Sequence, residues 1–214
     1  MQMKTLIIFG VSAHLGTGYQ VSQLVKQCHP QWRCIVLVRD AVFAKQLAEQ
    51  GIETHVGDAT DKELVKKICQ QAGPEAIIIS TLGGETGNYI AQRIIINCAE
   101  QAGVKQMLLV TSLGCGDSWI TLSLRAKQAF GYAVREKSLA EVWLQTSLLN
   151  YVILRPGGLR DGEITGKGQC YTAQEVHGVV YRKELARIII DKIANQQFDN
   201  CIYSVVDPNL TVNY

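Results

Sequence analysis

The sequence predicts an α/β fold in which a doubly wound parallel sheet lies between two layers of helices, a three-layer α/β/α arrangement. Three observations carry that expectation. Apolar runs of strand length alternate with longer amphipathic segments along the 214 residues, the pattern of right-handed crossover units on a parallel sheet. The run Ala76 to Ser80, "AIIIS", is continuously apolar, as a strand buried on both faces must be. The first strand opens at Gly10 into a small-residue loop that ends at Gly16 and enters a helix.

Taken in order, Thr5 to Phe9 reads as the first strand. Gly16 to Cys28 reads as the first helix, because Tyr19, Val21, Leu24 and Val25 have helical rather than alternating spacing. Cys34 to Val38 is a second strand, and Val42 to Gln50 a helix that ends at Gly51. Glu53 to Val56 is a short third strand. Asp61 to Gln71 is a helix with Thr60 and Asp61 available as caps and Gly73-Pro74 to stop it. After the apolar fourth strand, Asn88 to Gln101 is a helix ending at Gly103, and Gln106 to Val110 a fifth strand. Phe130 to Thr146 is a long helix, Tyr151 to Leu154 a sixth strand, Arg182 to Asn195 a last helix and Cys201 to Val206 a final strand. The longest irregular stretches, Gly114 to Leu122 and Gly157 to Val179, both follow strands of the second half. That is the end of the sheet where such folds bind ligands. No linker, repeat or low-complexity segment interrupts the chain, so residues 1 to 214 read as one domain.

Composition narrows the function classes. Hydrophobic residues make up 47% of the chain, enough for a sizeable core. A formal net charge of +2 gives no reason to expect nucleic acid or an anionic membrane as partner. Only Thr5 to Phe9 separates Lys4 from Gly10, too short for the apolar core of a signal peptide, and no stretch approaches a membrane span. The expected location is cytoplasmic. No exposed apolar stripe stands out, which leaves monomer and weak homodimer open. The seven cysteines show no CxxC spacing and read as small buried hydrophobes. Cys28, His29 and Cys34 form the nearest grouping, but no second ligand group follows, so no metal is expected. Cys115 lies in a loop with functional neighbours, which gives weak support for a reactive thiol.

The glycine loop carries the first chemistry. It reads Gly10-Val11-Ser12-Ala13-His14-Leu15-Gly16. A GxxGxxG loop has glycine at all three marked positions. Here the first, for the tight turn, and the third, for close helix packing, remain, while Ala13 replaces the middle one. A methyl is the smallest change there, and helix N-terminal amides still face an anion. The expectation is a Rossmann-type dinucleotide site. The second strand ends Leu37-Val38-Arg39-Asp40. An acidic residue beside the adenosine ribose suits NAD, whereas Arg39 offers a charge and a planar face to a 2′-phosphate. NADP(H) is therefore favoured over NAD(H), unless Asp40 points inward. In Gly57-Asp58-Ala59-Thr60, Asp58 serves either the adenine amino group or the turn itself.

The acceptor belongs under the loops after the fifth and sixth strands. Ser112 can donate a hydrogen bond to an acceptor oxygen, and Trp119 either stacks on a flat ring or packs its own loop. Arg160 and Lys167 read as solvated surface, with a substrate phosphate or carboxylate as the alternative. His177 reads as structural or exposed, and Trp143 as helix packing.

Several separated stretches then agree: "FGVSAHLGTG", "VLVRD", "GDAT", "STLGG", "VTSLG", "REKSLAEVWLQTS" and "YVILRPGGLRDG". Their order is that of the atypical short-chain dehydrogenase/reductases. The chain most resembles the NAD(P)-binding branch that includes NmrA-like and flavin reductase/biliverdin-IXβ reductase-like proteins, over nearly its whole length. The resemblance implies that Gly10, Ser12, Ala13, His14, Leu15 and Gly16 line the pyrophosphate and that Arg39 holds the 2′-phosphate. It implies that Asp58 and Ala59 lie near the adenine, and that Leu82, Gly83 and Gly84 pass under the cofactor ribose. Thr111 and Ser112 are implied near the nicotinamide, with Pro156 and Gly157 flanking it. Lys137, which begins a KxxAE pattern like that of the family's lysine, is implied at the cofactor and, with Ser112, in catalysis.

One departure limits the chemistry. Catalytically complete members have a tyrosine four residues before that lysine, where the lysine lowers its pKa for acid–base work. The position is Ala133 here, and Tyr132 misses it by one residue, about 100° around a helix. Carbonyl chemistry and sugar-nucleotide epimerisation lose their proton shuttle. Reduction of a flavin, quinone or similar conjugated acceptor needs mainly positioning. That is the expected activity, a hydride-transferring reductase with a small-molecule acceptor. A non-catalytic NADP(H) sensor of NmrA-like type is the rival.

Overall fold

The computed structural model describes residues 3–12, 15–84 and 88–211. Its strands are β1 (Thr5–Phe9), β2 (Arg33–Val38), β3 (Glu53–Val56), β4 (Ile77–Ser80), β5 (Gln106–Val110), β6 (Asn150–Pro156), β7 (Gly158–Arg160), β8 (Gln169–Tyr171), β9 (Val179–Tyr181) and β10 (Cys201–Val206). Its α-helices are α1 (Thr17–Cys28), α2 (Ala41–Glu49), α3 (Lys62–Ala72), α4 (Asn88–Gln101), α5 (Leu124–Gln145) and α6 (Arg182–Ala194). The main sheet has the order β3-β2-β1-β4-β5-β6-β10-β8. Its pairings are parallel except β10 with β8. This is a Rossmann-type fold. The strand order reverses between β1 and β4, which makes a crevice at their carboxyl ends.

Each parallel strand feeds both layers. On β1, Leu6 and Ile8 join the cluster packed by Val21 and Val25 of α1, Leu47 of α2 and Ile189 of α6. The alternate residues Ile7 and Phe9 join Ile68 of α3, Ile95 of α4 and Leu144 of α5 on the other face. All four β1 side chains are fully buried, and each such burial contributes roughly 1.5–3 kcal/mol relative to exposure. This two-sided burial is why these strands lack an alternating pattern. Helix starts follow local caps. The carboxylate Oδ1 of Asp40 accepts from Val42 N and Phe43 N at the head of α2, and that of Asp61 from Leu64 N at the head of α3.

The structure departs from the sequence expectation in two places. Helix α5 starts at Leu124, not Phe130, capped by Ser123 Oγ, which accepts from Ala126 N at 3.1 Å. The added turns were hidden because Leu124 and Phe130 are exposed, so no buried periodicity marks them. The stretch Gly157 to Val179, expected irregular, contains β7 and β8. β7 pairs with β9 in a second, two-stranded sheet, and β8 pairs with β10 on the edge of the main one. This loop is anchored by the fully buried Glu184, which accepts from the backbone amides of Thr165, Gly166 and Gly168 and pairs with Arg187 at 2.6 Å. Burial works to raise the Glu184 carboxyl, but Arg187 and the two glycine amides outweigh it and hold it below the usual carboxylate range.

Candidate active site

A cavity of about 670 Å³ occupies the crevice at the carboxyl ends of β1, β2 and β4. Gly10 forms its turn with φ +89°, and a Cβ there would lie 2.5 Å from the Thr81 carbonyl carbon. Only glycine fits that approach. The third glycine of the expected pattern, Gly16, is the helix N-cap with φ −60°, a conformation open to any residue. Close packing of helix on sheet falls instead at Gly18, where a Cβ would meet the Gly10 carbonyl oxygen at 2.8 Å. Sequence reasoning passed over Gly18.

Of the expected cofactor residues, Gly10, Ser12, Gly16, Arg39, Asp58, Ala59, Leu82, Gly83 and Gly84 line this cavity. Leu15 is exposed and is not among its lining residues. Ala13 and His14 lie outside the described residues. Asp40, with its carboxylate engaged at the α2 cap, and Arg39 border an adjoining space of about 410 Å³. Asp58 accepts from the backbone and the hydroxyl of Thr60. Those bonds, with a smaller effect of Arg39, hold its carboxyl below the usual range. Its turn role is therefore present, and its place in the lining leaves the adenine role compatible. Asn88, at the start of α4, donates to the Leu82 carbonyl, while its Oδ1 is buried in the lining with no partner among the described residues. An unpaired buried acceptor beside a glycine-walled crevice fits a ligand with hydroxyl or amide donors, as a dinucleotide has.

A second cavity, of about 520 Å³, lies beyond it at the ends of β5 and β6. Thr111, Ser112, Lys137, Pro156 and Gly157 line this one. Ala133 also lines it, one helical turn before Lys137, whereas Tyr132 is exposed and is not in the lining. The position a dyad tyrosine would occupy thus presents a methyl to the cavity. Lys137 Nζ donates to the Thr111 carbonyl at 3.3 Å. Burial lowers its pKa, opposed by Cys115 and Glu141.

Behind Lys137 is a buried polar network that sequence reasoning missed. Arg155 donates from Nε and Nη2 to the two oxygens of Glu141 at 3.0 and 2.7 Å. The Thr111 hydroxyl donates to the same carboxylate at 2.6 Å, and Arg155 Nη1 reaches Asp117 at 2.5 Å. Glu141 is 1% and Arg155 5% exposed, so this bidentate pair has little solvent screening. It fixes the end of β5, helix α5, β6 and the 3-10 helix Gly116–Thr121 relative to one another. The only sequence signals were Glu141 at the end of KxxAE and Arg155 before Pro156.

Trp119 is not among the lining residues of the second cavity. Its ring packs on α5, where a Cβ at Gly131 would meet it at 3.0 Å, with Arg135 and Lys127 over its faces at 5.3 and 5.4 Å. Cys115 is fully buried and its thiol is pushed up to about 11, chiefly by burial, which leaves no reactive thiolate. His177, read as structural or exposed, is exposed, pairs with Glu175 at 2.8 Å and also lines the second cavity. Arg160 and Lys167 are exposed and are absent from the lining. Leu159 and Arg182 line both cavities, which joins them into one cleft. Among the described residues, no group of three or more His, Cys, Asp or Glu side chains is placed to hold a metal. No helix among them is long and apolar enough to cross a membrane.

Residues 15–196 match the model of a family described as NAD(P)H-binding. The chain belongs to this NAD(P)H-binding family. Among solved structures, it is similar to ChuY, an anaerobillin reductase from Escherichia coli O157:H7, with 46% identity and a TM-score of 0.93 over 98% of this chain and 100% of that one. ChuY from E. coli strain CFT073 is similar at 44% identity and a TM-score of 0.88, with the same coverage. A short-chain dehydrogenase/reductase from Veillonella parvula DSM 2008 in complex with NADP shares the fold at 14% identity and a TM-score of 0.75, over 97% of this chain and 96% of that one.

Proposed function

We propose that the protein, acting as one cofactor-binding domain over residues 1–214, is an NADPH-dependent reductase of a conjugated acceptor. The acceptor class includes flavins and quinones and, by similarity to the ChuY anaerobillin reductase, linear tetrapyrroles. The observation that carries this reading is the cavity beside the cofactor crevice, where Lys137 is present and the tyrosine position is Ala133. Such a site can align an acceptor but has no phenol to run a carbonyl–alcohol proton relay.

A bound reduced nicotinamide supplies the hydride, and this chain's residues do the rest. The amides around Gly10 and Ser12 hold the pyrophosphate at the head of α1. Arg39 pairs with the 2′-phosphate, a role favoured by the engagement of Asp40 in capping α2. The donor group of the adenine meets Asp58. Lys137 and Thr111 position the nicotinamide end, flanked by Pro156 and Gly157, and Ser112 donates to an acceptor oxygen. The proton reaches the reduced acceptor from solvent.

The test is stopped-flow oxidation of NADPH with FMN, riboflavin, a small quinone and a linear tetrapyrrole. Turnover with at least one acceptor, lost in Arg39→Glu, supports the reading. Tight NADPH binding with no turnover by any acceptor refutes it and favours the sensor.

A further inference from the structure

The acceptor-side cavity has an apolar floor and a basic margin. Leu113, Leu122, Phe130 and Val134 contribute the apolar part, and Lys137, His177 and Arg182 are its basic lining side chains. No aspartate or glutamate is among its described lining residues. Basic side chains around a space with no described lining carboxylate favour an anionic ligand, because a charge taken from water must be paired.

The three basic side chains are not equivalent. Lys137 is directed at the Thr111 carbonyl. His177 is held by Glu175, with both side chains about 60% exposed. Arg182, the first residue of α6, has a side chain only 30% exposed and lines both the cofactor and the acceptor cavity. Its Nη1 donates to Asp161, a carboxylate 51% exposed, at 2.7 Å. A guanidinium has five donors in a planar fork that matches an oxyanion. An exposed ion pair is weak and salt-screened, so exchanging Asp161 for a ligand oxyanion costs little.

We propose that Arg182 is the specificity-determining residue of the acceptor cavity: it takes an oxyanion substituent of the acceptor, a carboxylate or a phosphomonoester, in exchange for Asp161. This rests on the reductase reading for what the ligand is, and its failure is separable from that reading. The geometry places the guanidinium where the two cavities meet, so the charged substituent anchors the acceptor while its conjugated system lies against the nicotinamide side. Acceptors without such a group lose this anchor.

The experiment compares two matched acceptor pairs, a linear tetrapyrrole diacid against its dimethyl ester and FMN against riboflavin. KM and kcat are measured with NADPH, and equilibrium Kd is measured on the complex with NADP+. The charged member of at least one pair is expected to show a KM and Kd at least about tenfold lower, as one charge-assisted pair gives. The pair that responds identifies carboxylate or phosphate as the source. Arg182→Gln brings that preference to within about twofold without changing NADPH affinity, Arg182→Lys recovers part of it, and Asp161→Asn lowers the Kd of the charged member. Thermal melts confirm folding, and Asp161→Asn keeps the test open if Arg182→Gln does not fold. Equal affinity for charged and uncharged acceptors in the parent protein overturns the proposal and leaves the reductase reading intact. Loss of NADPH affinity in Arg182→Gln with the acceptor preference unchanged assigns the residue to the cofactor and also overturns it. A charge preference in Kd that Arg182→Gln removes, with no turnover by any acceptor, supports the anion site and refutes reduction.

Discussion

Replacing Glu141 by alanine tests whether the buried network holds the acceptor side of the cleft together. The change removes the partner of two Arg155 bonds, at 3.0 and 2.7 Å, and the acceptor of the Thr111 hydroxyl at 2.6 Å. Arg155 is 5% exposed and keeps only the solvent-facing carboxylate of Asp117, whose side chain is 88% exposed. Burial, the largest influence on Arg155, works against its charge, and the two carboxylates outweigh it. With Glu141 gone, a largely desolvated cation remains. Breaking a buried pair from one side costs about 3–5 kcal/mol. For a chain of this size, that corresponds to a Tm fall of roughly 6–20 °C. Urea unfolding and calorimetry measure both quantities. The double variant Glu141→Leu with Arg155→Leu should recover most of the loss, because removing both charges removes the uncompensated one. NADPH turnover should fall in both variants, since Thr111 and Lys137 lose their common support. A Tm within about 2 °C of the parent for Glu141→Ala, below what even one kcal/mol would give, would refute the reasoning and mean that water already satisfies Arg155.

Three further outcomes follow from the geometry. The Glu184 carboxyl is held below the usual carboxylate range, so its contribution is complete above its unfolded pKa of about 4.3 and is lost as pH falls through the lower folded value; Glu184→Gln should flatten the acid limb of a stability–pH profile measured by urea unfolding. Gly10→Ala forces a side chain at φ +89° to within 2.5 Å of backbone and should cost about 1–3 kcal/mol or more, together with NADPH affinity measured by titration. Cys115, with its buried thiol near 11, should resist alkylation at neutral pH until denaturant is added, while the exposed Cys28 labels at once; mass spectrometry of the native protein distinguishes the two.

Most strands and helices were legible in the sequence because their signals are local. Three-residue strands such as β7 and β9 are too short to show a period, and the first turns of α5 expose Leu124 and Phe130, so periodicity was silent there. Gly10 was legible because a tight turn out of a buried strand has one chemical solution. The absence of the dyad was legible too, since 3.6 residues per turn decide that Ala133, not Tyr132, shares a face with Lys137. Trp119 was left open between stacking on a ring and packing its own loop, because an aromatic in a loop carries no information about which wall it will find.

The chain's own order of residues therefore determined the sheet, the crevice and the missing tyrosine, all of which depend on neighbours within a turn or a strand. Only the tertiary structure decided that Arg155 of β6 meets Glu141 of α5, that Gly18 rather than Gly16 lets the helix approach β1, and that Arg182 stands between two cavities. Those features are contacts between elements separated along the chain. Buried charge pairing and shared cavity walls depend on where the packed elements place their side chains, and no periodicity within a single element encodes that distance.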